Sequence, residues 1–247
     1  MAERIGFFVP CLIDHFEPDI AIHAIEVLKF AGFVVVVPKN QTCCGQPWFN
    51  VGLPKLALPY IERFVDRFGG LELDAVVVPS GSCASFLAKH APETAKRKPG
   101  LYKKIKELSA KIREFSDLAY GKLKDVPLAM PRPTRVFYHN SCHMSRELGV
   151  LEPPLALIDQ TGGVKREETP LPLPCCGFGG AFSTLLPFLS YRIGERKLEE
   201  IAKTGAEVVI SADSGCLMHL SSIAKKRPSN VRFVHLASFL YEALPKP

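Results

Sequence analysis

At 247 residues, 47% of them apolar, the chain can bury one or two cores without disulfide support. Its net charge of +6 is modest, and the densest basic stretch (Lys96-Arg97-Lys98, then Lys103, Lys104 and Lys106) lacks the interleaved aromatics of a nucleic-acid binder and reads as a solvated helix face. No apolar run reaches the roughly 20 residues of a membrane span and no secretory leader is legible, so a cytoplasmic, reducing setting is expected.

The first expected strand, 4–9, leads to Cys11. Ala21, Ala24, Ile25 and Leu28 mark a helix face at i, i+3, i+4, i+7, stopped at Gly32 before a strand over 33–37. Cys43-Cys44-Gly45 follows. Leu53, Leu56, Tyr60, Phe64 and Phe68 mark a second helix, with Pro59 expected to kink or break it. A strand over 74–78 precedes Ser80-Gly81-Ser82-Cys83. A helix over 101–119 and an extended, proline-bearing linker over 126–133 come next. The order then repeats. A strand over 135–138 leads to Cys142, and a charged strand over 164–168, suited to a sheet edge, precedes Cys175-Cys176-Gly177. Leu186, Leu189, Ile193 and Ile201 mark a helix, and a strand over 206–210 precedes Ser214-Gly215-Cys216. The expectation is an α/β protein of two similar tandem domains, 1–130 and 131–247, each a small parallel sheet with covering helices.

All eight cysteines belong to this repeat. In the first copy 31 residues separate Cys11 from Cys43 and 38 separate Cys44 from Cys83; in the second copy the gaps are 32 and 39. Each group follows a strand, so the sulfurs should gather at the carboxyl edges of the sheets, near helix N-termini that favour negative charge. Gly45 and Gly177 permit a close backbone approach or a positive φ. Clustered thiols in a reducing setting suit metal binding better than stapling. Soft thiolates fit iron–sulfur clusters and zinc alike, although the C-x2-4-C pairing common in structural zinc sites is absent. Buried apolar cysteines or vicinal disulfides are the blander alternatives.

The repeated C…CCG…C pattern resembles the cysteine-rich CCG domain family, which includes the heterodisulfide reductase catalytic subunit and the iron–sulfur subunits of glycolate oxidase and anaerobic glycerol-3-phosphate dehydrogenase. Among chains made only of two such domains it is similar to the lactate utilization protein A family. The resemblance rests on Cys43-Cys44-Gly45-Gln46-Pro47, Pro79-Ser80-Gly81-Ser82-Cys83, Cys175-Cys176-Gly177-Phe178-Gly179-Gly180 and Asp213-Ser214-Gly215-Cys216-Leu217-Met218-His219. It implies an iron–sulfur cluster, of 4Fe-4S or another type, in an L-lactate dehydrogenase complex. The implied partners are a ferredoxin-type iron–sulfur subunit and a third subunit. The heterodisulfide reductase relatives carry a further cysteine after the last one, where this chain has Phe86 and His219. His219 thus becomes a candidate fifth ligand, and the second half the expected better cluster site.

His139 and His143 flank Cys142 as candidates for proton relay or substrate orientation, and Arg146 for pairing with a carboxylate. His15 is a weaker candidate beside Cys11. The chain has no G-x-G-x-x-G after its first strand, no P-loop, no G-x-S-x-G and no ferredoxin-type cysteine run. Three functions therefore compete: an iron–sulfur redox subunit that needs an electron partner, a zinc-stabilised binding scaffold, and a thiol–disulfide enzyme.

Overall fold

The structure, a computed structural model, describes residues 2–169, 175–226 and 230–245. The first half contains β1 (Arg4–Phe7), α1 (Cys11–Phe16), α2 (Pro18–Phe30), β2 (Val34–Val36), α3 (Gln46–Asn50), α4 (Leu58–Phe68), β3 (Ala75–Val78), α5 (Gly81–Ser85), α6 (Ala91–Ala95), α7 (Pro99–Ser109), β4 (Ile112–Glu114) and α8 (Phe115–Leu123). The second contains β5 (Ala129–Tyr138), α9 (Glu152–Asp159), β6 (Gly162–Glu167), α10 (Ala181–Leu185), α11 (Pro187–Thr204), β7 (Val208–Ser211), α12 (Ser214–Ala224), β8 (Arg232–His235) and α13 (Leu236–Ala243).

Among the described residues the strands form two four-stranded parallel sheets, ordered β2-β1-β3-β4 and β6-β5-β7-β8. The central runs Ala75–Val78 and Val208–Ser211 are buried throughout, as parallel strands covered on both faces must be. In each sheet the chain leaves the first strand to one side and later returns on the other. This switch point opens a crevice at the carboxyl ends of β1 and β3, and of β5 and β7. The charged strand β6 lies at a sheet edge, as its composition requires.

Two expectations need correction, and one about Pro59 holds. The helix expected over 101–119 is two helices with a strand between them. α7 ends where Ser109 Oγ bonds the carbonyls of Ile105 and Leu87 at 2.7 and 2.8 Å, and residues 112–114 then pair with β3. That pairing is tertiary, so local periodicity does not report it. The helix marked from Leu53 does break next to Pro59, as expected: Pro54–Ala57 forms a separate 3-10 turn and α4 starts at Leu58, with Pro59 in its first turn, where its missing N–H costs nothing. The proline-bearing linker is extended, but it runs into β5, and Ala129 pairs with Gly162.

One face of each sheet joins a core shared by both halves. Ile5, Phe7 and Val77 meet this core from one side and Val136, Tyr138 and Ile210 from the other, with α2, α8, α9 and α13 packed among them. α13 returns to the first half: the Tyr241 and His23 rings stack at 4.4 Å, and His23 Nδ1 lies 3.0 Å from Ser238 Oγ. The shared core holds the two carboxyl edges facing each other.

Candidate functional site: a cleft lined by both cysteine sets

All eight cysteines line one cleft of about 170 Å³ between the halves, together with Gln46, Ser80, Ser82, His143, Phe178 and Asp213. Within each set the sulfurs form a chain. Cys43 is hydrogen-bonded to Cys11 and Cys44, and the Cys44 and Cys83 sulfurs are 3.5 Å apart. Cys175 is hydrogen-bonded to Cys142 and Cys176, and the Cys176 and Cys216 sulfurs are 3.0 Å apart. Both CCG loops turn through a left-handed glycine, with φ of 101° at Gly45 and 92° at Gly177. Gly177 also lets the loop press on α11, since a Cβ there would lie 2.5 Å from the Ser190 carbonyl oxygen.

The turn aims backbone donors at sulfur. Gly45 N–H points to Cys43 Sγ and Gly177 N–H to Cys175 Sγ, each at 3.4 Å, and Phe178 N–H points to Cys176 Sγ at 3.4 Å. Within each pair the surroundings favour the thiolate at the first cysteine. Hydrogen bonds from Cys11 and then Cys44 bring Cys43 down to about 3, and those from Cys142 and Cys176 push Cys175 well below the usual thiol range. Their neighbours move the other way: Cys11, Cys44, Cys142 and Cys176 are all raised, first by donating to the adjacent sulfur and then by burial. Each set thus favours negative charge at the first sulfur of its CCG pair.

One carboxylate ties the sets together. Asp213 caps α12 by accepting Cys216 N–H at Oδ1, 3.4 Å away, while Oδ2 accepts Ser82 N–H at 2.8 Å and the Ser80 hydroxyl at 3.4 Å. Gly81 N–H also donates to the Ala212 carbonyl at 3.2 Å, and any Cβ at Gly81 would strike Met144 Cγ at 2.5 Å.

The histidines separate by role. His143 lines the cleft, with Nδ1 3.7 Å from Cys142 Sγ and Nε2 3.0 Å from Gln46 Nε2 and 3.8 Å from a Glu147 oxygen. His139 is buried beneath the second set, where burial, reinforced by Lys197, holds it neutral with a pKa of about 3. His219 does not reach into the cleft: its Nε2 lies 3.2 Å from Ser190 Oγ and 3.3 Å from the Ser190 carbonyl. Phe86, at the corresponding position of the first half, is fully buried against Phe49. Arg146 sits on the exposed face of the π-helical turn His143–Leu148, outside the cleft lining, and His15 points outward beside Asp14. Sequence reasoning passed over Asp213 and Lys197 as site residues. Asp213 carries a legible signal, an N-cap residue three positions before Cys216. Lys197 carries none, because a lysine in an amphipathic helix reads as solvated.

A family model described as a cysteine-rich domain, CCG, matches residues 5–88 and 136–221, one copy on each sheet and its cysteines. Lactate utilization protein A of Halalkalibacterium halodurans is 35% identical over 96% of this chain and 96% of its own length, and that of Bacillus subtilis 35% identical over 96% and 98%. Lactate utilization protein A 2 of Bacillus cereus strain Q1 is 32% identical over 98% of this chain and its whole length. The chain therefore belongs to the lactate utilization protein A family of paired cysteine-rich domains. A crystal structure of a hypothetical protein from Helicobacter pylori shares the fold, with a TM-score of 0.69 at 11% identity; the match covers 99% of this chain and 49% of that one. Among the described residues no helix is long and apolar enough to cross a membrane.

Proposed function

We propose that this chain is the iron–sulfur electron-transfer subunit of a cytoplasmic, multiprotein complex that oxidises L-lactate, a 2-hydroxy acid, to pyruvate. The observation that carries the reading is the convergence of two four-thiol sets, from opposite sides, on one cleft. The donor set suits a soft metal centre. A ring nitrogen of His139 and the sulfurs of Cys176 and Cys216 lie within 4.8 Å of one another, and among the described residues the buried His139 Nε2 has no hydrogen-bond partner. The substrate class comes from the names of the relatives, and a ferredoxin-type iron–sulfur subunit and a third subunit are the partners the reading requires.

In this reading Cys11, Cys43, Cys44 and Cys83 hold one centre and Cys142, Cys175, Cys176 and Cys216 the other. When bound, such centres take up and release single electrons. The N–H groups of Gly45, Gly177 and Phe178 direct hydrogen bonds to the sulfurs and stabilise their negative charge. Asp213 holds the two sets in register. Oxidation of a hydroxy acid releases two electrons and two protons. His143, at the cleft wall and linked to Glu147, is placed to hold a proton near the sulfurs.

The test is anaerobic addition of L-lactate to the complex reconstituted with its partner subunits. Bleaching of the visible absorbance of this chain supports the reading, as does loss of bleaching in Cys175→Ser. An absorbance that stays constant while pyruvate forms would remove the chain from the electron path. A zinc-held scaffold is the second reading, favoured by the His139, Cys176 and Cys216 grouping. Stoichiometric zinc with no visible absorbance would establish it.

A further inference from the structure

The two cysteine sets have the same spacing but different surroundings, and the internal repeat shows which residues correspond. Phe8 N–H donates to the Val77 carbonyl at 3.0 Å, and His139 N–H donates to the Ile210 carbonyl at 2.7 Å, so His139 stands where Phe8 does. A Cβ on Gly45 would meet Ala57 and Tyr60, and one on Gly177 would meet Ser190 and Ile193. α4 and α11 therefore share a register in which Lys197 stands where Phe64 does.

In the first half Phe8 and Phe64 pack edge to face with centroids 5.7 Å apart, in the same apolar cluster as Cys44 and Cys83. Arg63 and Arg67 line an outer recess with Cys43, apart from the cleft, where Arg63 is exposed and screened by solvent and Arg67 is half-buried with its Nε covered. In the second half the Phe pair is replaced by a buried histidine and a lysine only 2% exposed. Burial lowers the Lys197 pKa, opposed by the charges of Cys176 foremost, then Cys216, Cys175 and Cys142. A charge in a low-dielectric interior acts far more strongly than one at the surface.

The geometry points to two centres of unequal reduction potential, with Lys197 making the second one, at Cys142, Cys175, Cys176 and Cys216, the stronger electron acceptor. Reduction adds one electron and one negative charge to a centre. Beside Lys197 that charge meets a buried cation, whereas beside Phe8 and Phe64 it meets apolar rings. An electron held at the first set would therefore be more stable at the second, where Lys197 stands. Lys197 touches neither substrate nor reacting atoms; it is a positioning residue that acts through the sulfurs. The inference rests on the iron–sulfur reading above.

The experiment is an EPR-monitored redox titration, with dithionite as reductant, of the anaerobically iron-loaded chain, comparing wild type, Lys197→Met and Lys197→Arg. Methionine matches lysine in length but leaves the lysine's buried partners without it, so folding of the metal-free variant is checked by circular dichroism, and Lys197→Gln, which is uncharged and keeps a donor, is titrated beside it. The expected wild type shows two one-electron waves. Lys197→Met should lower the upper wave at least tenfold in its reduction equilibrium, about 59 mV, and leave the lower wave in place, while Lys197→Arg keeps both. Iron-loaded Lys197→Met with both waves unmoved, or with the lower one shifted, overturns the inference alone. Protein that takes up no iron overturns the functional reading and the inference with it.

Discussion

Asp213 Oδ2 accepts the Ser82 N–H at 2.8 Å, so the carboxylate that caps the helix carrying Cys216 also serves the helix carrying Cys83. Ser80 stands at the N-cap of α5 but its own side chain makes no capping bond. One buried acid from the second half thus does the work of two caps. Asp213→Ala strands the donors of Ser82 and Cys216 inside the protein. The expected cost is about 2–4 kcal/mol, seen as a fall of several degrees in Tm, together with weaker metal loading in both halves. A loss confined to the second half would show that the bridge is dispensable.

The two CCG glycines should differ in sensitivity. Both have a left-handed φ, so alanine costs about 1 kcal/mol at either from backbone strain alone. At Gly177 the new Cβ would also lie 2.5 Å from the Ser190 carbonyl oxygen, whereas at Gly45 the nearest atom is 3.2 Å away. Urea unfolding should therefore show Gly177→Ala to be clearly more destabilised than Gly45→Ala. Equal effects would mean that α11 moves aside freely.

Glu114 makes the fold sensitive to pH between about 4.5 and 7. Burial, opposed by the Ser116 hydrogen bonds, raises its pKa from 4.5 to about 7. The folded state therefore binds a proton that the unfolded state has released, and the stability this gives is complete below about pH 4.5 and lost as the pH rises through 7. Glu114→Gln keeps an acceptor for Ser116 without the charge. Its stability relative to wild type should rise between pH 5 and pH 8, by about 3 kcal/mol at most. A pH-independent difference would contradict the buried-carboxyl explanation.

The repeat, the parallel sheets and the gathering of thiols at strand ends were legible because they depend on local patterns: β-branched runs, turn glycines and matched cysteine spacing. β4 and β8 were not, because residues 112–114 and 232–235 become strands only by pairing with β3 and β7. That the two sets face one another was equally hidden. It follows from the return of α13 onto α2 and from a core in which Phe7 and Tyr138 are both members. The burial of Lys197 is not legible either, because helical periodicity gives its position in the turn but not how deeply the side chain is covered.

The central claim is that the facing thiol sets hold iron–sulfur centres. Anaerobic reconstitution with iron and sulfide, followed by metal and sulfide analysis and EPR of the reduced protein, tests it most directly. The expected result is iron and sulfide bound in comparable amounts, with an EPR signal that Cys175→Ser and Cys216→Ser diminish and that Cys43→Ser and Cys83→Ser diminish separately. Protein that binds zinc alone, or stays iron-free and EPR-silent after reconstitution, would contradict it.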